Sequence, residues 1–291
     1  MHLKGIYAPI VTPFNADESI NYTVLEQLIE YLIANKIAGL VPGGTTGEVY
    51  AFTEAERLDI FKFVKEKVNG RATLIAGTNS GATRDVIRYS QIAEGMGYDA
   101  LMVAVPPYSR PNQSELLAHY ESVAKAVKIP IVLYNFPWRA GTEVSYEVMD
   151  GLAKYDHIIG IKEASGDMSR VYEFRLRYGD RYQMICGSDD QALDYFLWGT
   201  TAWIGGAASC APLQHLQVLE AALANDFVTA RAHMSKLLPM LRNMESGGYT
   251  QKVKVGCELR GIKVGAPRQP LLPLTNEDRT EFERIFKTLN V

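Results

Sequence analysis

Ala100-Leu101-Met102-Val103-Ala104 is an unbroken apolar run; an amphipathic stretch follows at 115–127, and Ile129-Pro130-Ile131-Val132-Leu133-Tyr134 is a second apolar run. Short apolar strands on either side of a helix make a parallel βαβ unit, buried on both faces. Working outward, the same alternation recurs along most of the chain. Strand runs fall at 5–10, 39–42, 73–76, 100–104, 129–134, 158–161, 182–185 and 202–204. Helical patterns between them include 22–35, 54–68, 83–94, 115–127 and 190–198. Thr53, ahead of Glu54-Ala55-Glu56, reads as an N-cap with an acidic first turn. Eight such units predict an α/β fold, a (β/α)8 TIM barrel over residues 1–224. An open doubly wound sheet would carry a glycine-rich dinucleotide turn after its first strand, and this strand runs instead into Thr12-Pro13-Phe14-Asn15. From about Asn225 the strand signal ends. Helical patterns at 228–244, around 250–259 and at 280–289 predict a small C-terminal helical extension, 225–291.

Composition narrows the class further. The 291 residues are 47% hydrophobic, and Lys+Arg 30 against Asp+Glu 33 gives a net charge of −3. A near-neutral chain without basic blocks argues against nucleic acid as a partner. The longest apolar runs fall far short of the ~20 residues a membrane helix needs. Met1-His2-Leu3-Lys4-Gly5 opens no signal-peptide h-region, so a cytoplasmic protein is expected. Cys186, Cys210 and Cys257 lie far apart, an odd count with no metal-ligand spacing, so neither a disulfide framework nor a metal site is expected. Buried structural thiols are the expectation for Cys186 and Cys210.

In a barrel of this type the reactive groups sit at the C-terminal ends of the strands. The sixth apolar run, Ile158-Ile159-Gly160-Ile161, leads straight into a lysine, Lys162, followed by Glu163. Low-dielectric surroundings disfavour the ammonium form and would leave Lys162 partly as a free-amine nucleophile. The plainer reading is a lysine that snorkels to water. The fifth run ends in Tyr134, a candidate proton carrier or simply a packed ring. After the second run, Pro42-Gly43-Gly44-Thr45-Thr46-Gly47-Glu48 could present amide and hydroxyl donors as a nest for a carboxylate, or be an ordinary glycine-rich turn. Tyr108, in the stiff Pro106-Pro107-Tyr108-Ser109-Arg110-Pro111 loop, and Arg139, after Trp138, could serve the mouth or a subunit contact. His2, His119, His157, His215 and His233 are scattered, which leaves a serine or cysteine triad poorly supported.

Gly44-Thr45-Thr46-Gly47-Glu48, Tyr134-Asn135 with Pro137 following, and Ile159-Gly160-Ile161-Lys162-Glu163 occur in the order and spacing of the dihydrodipicolinate synthase / N-acetylneuraminate lyase superfamily. The resemblance covers essentially the whole chain. It implies a (β/α)8 enzyme that works through a lysine Schiff base without metal or organic cofactor, commonly as a homotetramer of tight dimers. Lys162 would form the imine with pyruvate or a similar 2-oxo acid, and Tyr134 would transfer protons. Thr45 and Tyr108 would link Tyr134 to solvent, with Tyr108 reaching across the tight dimer. Thr45 and Thr46 would hold the pyruvate carboxylate, and Gly187 and Ile204 match positions whose carbonyls line the site.

Within the superfamily, the Thr45-Thr46 pair and Arg139 resemble the synthase branch. There the arginine receives the carboxylate of the aldehyde co-substrate, L-aspartate 4-semialdehyde. The implied reaction is condensation of pyruvate with that aldehyde to 4-hydroxy-tetrahydrodipicolinate. With another 2-oxo acid the same chemistry gives an aldolase, dehydratase or deaminase of the superfamily, such as an N-acetylneuraminate lyase or a 2-keto-3-deoxy sugar-acid enzyme. Glu54 and Gly81 stand where lysine-inhibited synthases carry histidine and asparagine, so lysine inhibition is not expected.

Overall fold

The computed structural model describes residues 1–289. Eight strands, β1 Gly5–Ala8, β2 Gly39–Leu40, β3 Thr73–Gly77, β4 Ala100–Ala104, β5 Ile131–Asn135, β6 Ile158–Glu163, β7 Gln183–Cys186 and β8 Ala202–Ile204, follow one another in a closed barrel. The registered pairs are parallel. The helices are α1 Tyr22–Ala34, α2 Glu54–Val68, α3 Thr83–Gly95, α4 Gln113–Ala126, α5 Pro137–Ala140, α6 Tyr146–Leu152, α7 Ser169–Tyr178 and α8 Ala192–Leu197. After the last strand come α9 Pro212–Leu223, α10 Phe227–Glu245, α11 Tyr249–Leu259 and α12 Asn276–Lys287. This is the (β/α)8 architecture with added C-terminal helices. Among the described residues no helix is long and apolar enough to cross a membrane.

Two compact units make up the chain: Met1–Lys4 with Thr73–Trp203, and Gly5–Ala72 with the chain from Ile204 onward. In the first unit, β3 to β7 supply Leu74, Ile75, Leu101, Val103, Val132, Leu133, Ile161 and Ile185 to the core. Gly160 lets β6 approach β7, because a Cβ there would lie 2.2 Å from the Gln183 carbonyl oxygen. In the second unit, α1 buries Leu25, Leu28, Ile29 and Leu32, the i, i+3, i+4, i+7 stripe of an amphipathic helix. The extension contributes Leu237, Met240, Leu241, Val253 and Phe282 to that unit's core.

Several boundaries shift by one to a few residues from the sequence pattern, and three of them have a clear local reason. β5 starts at Ile131, whose amide reaches the His157 carbonyl, whereas Pro130 has no N–H to give. β6 runs on to Glu163, which brings both Lys162 and Glu163 into the ladder. α12 begins at Asn276, ahead of the expected 280, because Thr275 caps it by accepting from the Asp278 amide.

The expected cap at Thr53 is a full capping box. Its hydroxyl accepts from the Glu56 amide, and Glu56 accepts from the Thr53 amide at 2.8 Å. Arg268 also binds this carboxylate, and the guanidinium holds Glu56 down to about 2. A carboxyl depressed in the folded state stabilises it above the unfolded value, and that stability is lost as pH falls through the folded one. The gap in urea midpoint between wild type and Glu56→Gln should therefore be full at neutral pH and close as pH drops below 4.5 toward about 2. A gap that does not change with pH would mean that Glu56 acts by packing alone.

Candidate active site

The ends of β5 and β6 carry the centre of the site. Their ladder sets Tyr134 opposite Lys162 and Asn135 opposite Glu163. Successive strand residues point to opposite faces, so the two pairs serve different sides of the sheet. On one side Lys162, 5% exposed, places its Nζ 4.1 Å from the centre of the Tyr134 ring. That ring in turn stacks on Phe136 at 5.7 Å. The amine is thus held, almost fully buried, over the face of a phenol ring.

On the other side lies a buried polar network that sequence reading did not identify. Glu163 is fully buried. Its carboxylate accepts from Asn135 Nδ2 at 3.0 and 2.9 Å, from the Ser165 amide at 2.7 Å and from Arg170 Nε at 2.9 Å. Arg170 also donates to the Val144 carbonyl at 2.8 Å and pairs with Glu143 at 3.1 Å. The Val144 amide closes the ring by donating to Asn135 Oδ1 at 2.9 Å. This network ties the tips of β5 and β6 to α7. A signal did exist in the sequence: Asn135 and Glu163 each follow a mouth-facing residue on an apolar strand, so both had to be buried polar groups with partners.

Gly187 follows β7 directly. Its amide donates to the Glu163 carbonyl at 2.8 Å, and a Cβ on it would lie 2.9 Å from both Cγ and Cε of Lys162. The lysine stem occupies the space a side chain would need. Cys186 is buried beside it, and burial pushes its thiol well above the ordinary value, as a structural cysteine requires. Cys210 and Cys257 are buried as well.

The loop residues of this unit are disposed differently. Tyr108 is 99% exposed and holds a left-handed φ of 73°. Arg139 lies exposed on α5, its guanidinium 5.7 Å from the Phe136 ring centre. The brace on that loop is Trp138, whose Nε1 donates to the Ser165 carbonyl at 2.8 Å.

In the second unit, the loop after β2 turns tightly from Gly44 to Glu48. The Gly47 amide donates to the Gly44 carbonyl at 3.1 Å, and the Glu48 amide donates to the Thr45 carbonyl at 3.0 Å. Thr12 Oγ1 donates to the Gly47 carbonyl at 2.8 Å. Thr45 is half-buried and Thr46 is buried. Gly206 leaves room for Thr46, since a Cβ there would lie 2.7 Å from the Thr46 hydroxyl oxygen. Ile204, at the end of β8, is fully buried. Among the described residues no group of three or more His, Cys, Asp or Glu converges as a metal site would.

Comparison with known proteins places this geometry in a family. A profile of the dihydrodipicolinate synthetase family matches residues 2–289. The 4-hydroxy-tetrahydrodipicolinate synthase of Exiguobacterium sibiricum is 39% identical over 286 residues, covering 98% of this chain and 97% of that protein. Its counterpart in Methanopyrus kandleri is 34% identical, with 99% and 97% covered. Among solved structures, the chloride-inhibited dihydrodipicolinate synthase of Acinetobacter baumannii complexed with pyruvate is 30% identical with a TM-score of 0.95 over 99% of each chain. With the match running nearly end to end in sequence and in structure, the chain belongs to the dihydrodipicolinate synthetase family.

Proposed function

We propose that this chain is a Schiff-base synthase that condenses pyruvate with L-aspartate 4-semialdehyde to 4-hydroxy-tetrahydrodipicolinate. The observation that carries the reading is the Lys162 amine, buried at the end of β6 and held 4.1 Å from the Tyr134 ring centre. The names of these three relatives, 4-hydroxy-tetrahydrodipicolinate synthase or dihydrodipicolinate synthase, support the choice of reaction.

In this mechanism the free amine of Lys162 attacks C2 of pyruvate, and the resulting carbinolamine loses water to give a protonated imine. The imine is an electron sink, so a methyl proton leaves and an enamine forms. Its carbon attacks the aldehyde of the semialdehyde, whose oxygen takes up a proton. The amino group of the co-substrate then adds to C2 and expels Lys162, closing the ring and restoring the free lysine. Tyr134, with its ring against the amine, is assigned the proton transfers. Thr45 and Tyr108 are assigned the link to solvent, and the carbonyls of Gly187 and Ile204 line the site. The pyruvate carboxylate is assigned to Thr45 and Thr46. The turn already uses the amides of Gly47 and Glu48, so the two threonines supply the donors.

The exposure and strained backbone of Tyr108 support a role across a subunit boundary, within a homotetramer of tight dimers. The enzyme would work in the cytoplasm without metal or organic cofactor. The deciding assay follows product formation from pyruvate and L-aspartate 4-semialdehyde beside a panel of sugar acids. A chain that ignores the semialdehyde and cleaves a sugar acid would overturn the synthase reading.

Arg139 is the proposed clamp for the semialdehyde carboxylate. A charge-assisted bidentate contact is worth roughly 1.5–3 kcal/mol, so Arg139→Ala should lower kcat/KM for the semialdehyde by about one to two orders of magnitude. Imine formation with pyruvate should be unchanged. Arg139→Lys should recover part of the loss, because a point charge cannot reproduce two parallel hydrogen bonds. Equal losses for both substrates would show that Arg139 only holds its loop.

A further inference from the structure

Glu48 ends the Gly44–Glu48 turn in a left-handed conformation, φ 61° and ψ 34°, unusual for a residue with a side chain. Its carboxylate is fully buried. A buried carboxylate is costly unless it is paired, and the partners here come from the C-terminal extension. Lys254 on α11, 2% exposed, brings its Nζ to 2.8 Å from Glu48 Oε1. The Arg268 amide donates to Glu48 Oε2 at 2.8 Å.

The same two residues fasten the surrounding chain. Lys254 donates to the Ala266 carbonyl at 2.9 Å and lies 4.3 Å from the Phe14 ring centre. The Arg268 guanidinium lies 4.4 Å from that ring centre and donates to the carbonyls of Ala51 at 2.9 Å and Glu18 at 3.0 Å. Phe14 is held by its amide, which donates to the Val264 carbonyl at 3.0 Å. Gly265, at φ 75°, sits so close that a Cβ would lie 2.2 Å from the Phe14 carbonyl oxygen. The segment 264–268 therefore crosses Phe14 as a strap that ends on Glu48.

An apolar side chain would fill the Glu48 position without needing two distant donors, and a buried ion pair is a weak source of stability. It does supply geometry. Burial pushes the Lys254 ammonium down from its ordinary value while Glu48 pulls it the other way, so this carboxylate is the main counter-charge holding the ammonium in place. Because the Glu48 amide is bonded to the Thr45 carbonyl, the carboxylate anchor also fixes the backbone directions of Thr45 and Thr46.

We propose that Glu48, Lys254 and Arg268 are positioning residues that hold the Thr45–Thr46 turn in the shape that receives the substrate carboxylate, so that the C-terminal extension sets the affinity for the 2-oxo acid. This rests on the reading of Thr45 and Thr46 as the carboxylate seat.

The test measures half-saturation by pyruvate in two ways: borohydride trapping at Lys162 and steady-state turnover. Three variants are compared with wild type: Lys254→Met, the double variant Glu48→Gln/Lys254→Met and Thr46→Val. Lys254→Met should raise the pyruvate concentration for half-maximal trapping by about tenfold. The KM for semialdehyde should stay near wild type, and kcat should fall by less than the pyruvate half-saturation rises, since Thr45 shares the turn. The double variant removes both charges from the interior, and it carries the measurement if the single variant does not fold. It should show the same split between pyruvate KM and kcat. A lower Tm with unchanged pyruvate half-saturation, while Thr46→Val does raise it, would overturn the strap proposal and leave the seat standing. Unchanged half-saturation in Thr46→Val would place the seat elsewhere, and the proposal would fall with it.

Discussion

Incubation with pyruvate and borohydride is expected to leave a single reduced adduct, mapped to Lys162 by peptide mass spectrometry. Lys162→Arg should abolish trapping and lower kcat by at least roughly three orders of magnitude, since a guanidinium stays protonated and supplies no free amine. Tyr134→Phe separates the nucleophile from the proton carrier. Its ring can still lie against the amine, as it does now at 4.1 Å, but no hydroxyl remains to move protons. Turnover should fall by about 10²–10⁴, the usual contribution of a positioned acid–base group. The adduct should still form on Lys162, only more slowly. An adduct on another lysine, or none, would remove the mechanism altogether.

The second large effect is on folding. Glu163→Ala removes the acceptor for Asn135 Nδ2, the Ser165 amide and Arg170 Nε in one step. Breaking a buried pair strands the remaining charge, at a cost of about 3–5 kcal/mol. Arg170 keeps Glu143 and the Val144 carbonyl, which argues for the lower end of that range. Urea unfolding should register the loss as a lower midpoint. Glu163→Leu with Arg170→Met should recover part of it, because neither charge of the pair is then left without its partner, while Asn135 Nδ2 and the Ser165 amide still lack their acceptor. A Glu163→Ala midpoint within the spread of surface substitutions would mean that the network bears little of the fold.

What was legible in the sequence depended on periodicity and position. Apolar runs such as 100–104 gave the strands directly, and Lys162 stood out because a charge at the end of such a run needs a reason. Capping at Thr53 was readable from one turn of chain. Long-range polar pairing was not. Nothing near Glu48 announces Lys254 or the Arg268 amide, because an ion pair between distant segments leaves no period in either. The Asn135–Glu163–Arg170 network falls between these cases. Two of its members sit beside site residues already singled out, and only the alternation of side chains along β5 and β6 separates bracing from chemistry. The resemblance points to the Gly187 carbonyl, yet it is the missing Cβ that makes room for the lysine stem.

That last feature bears on how freely the lysine moves. A lysine side chain has four rotatable bonds, and fixing them costs roughly 1.5–2 kcal/mol of rotamer entropy. Here the stem runs along the bare backbone of Gly187, with Cγ and Cε both within 2.9 Å of where a Cβ would stand, and its head rests over the Tyr134 ring. Much of that freedom is therefore surrendered when the chain folds, before any ketone arrives. On the proposed mechanism, the amine would meet its ketone as a nearly rigid arm, and imine formation would not have to search through rotamers.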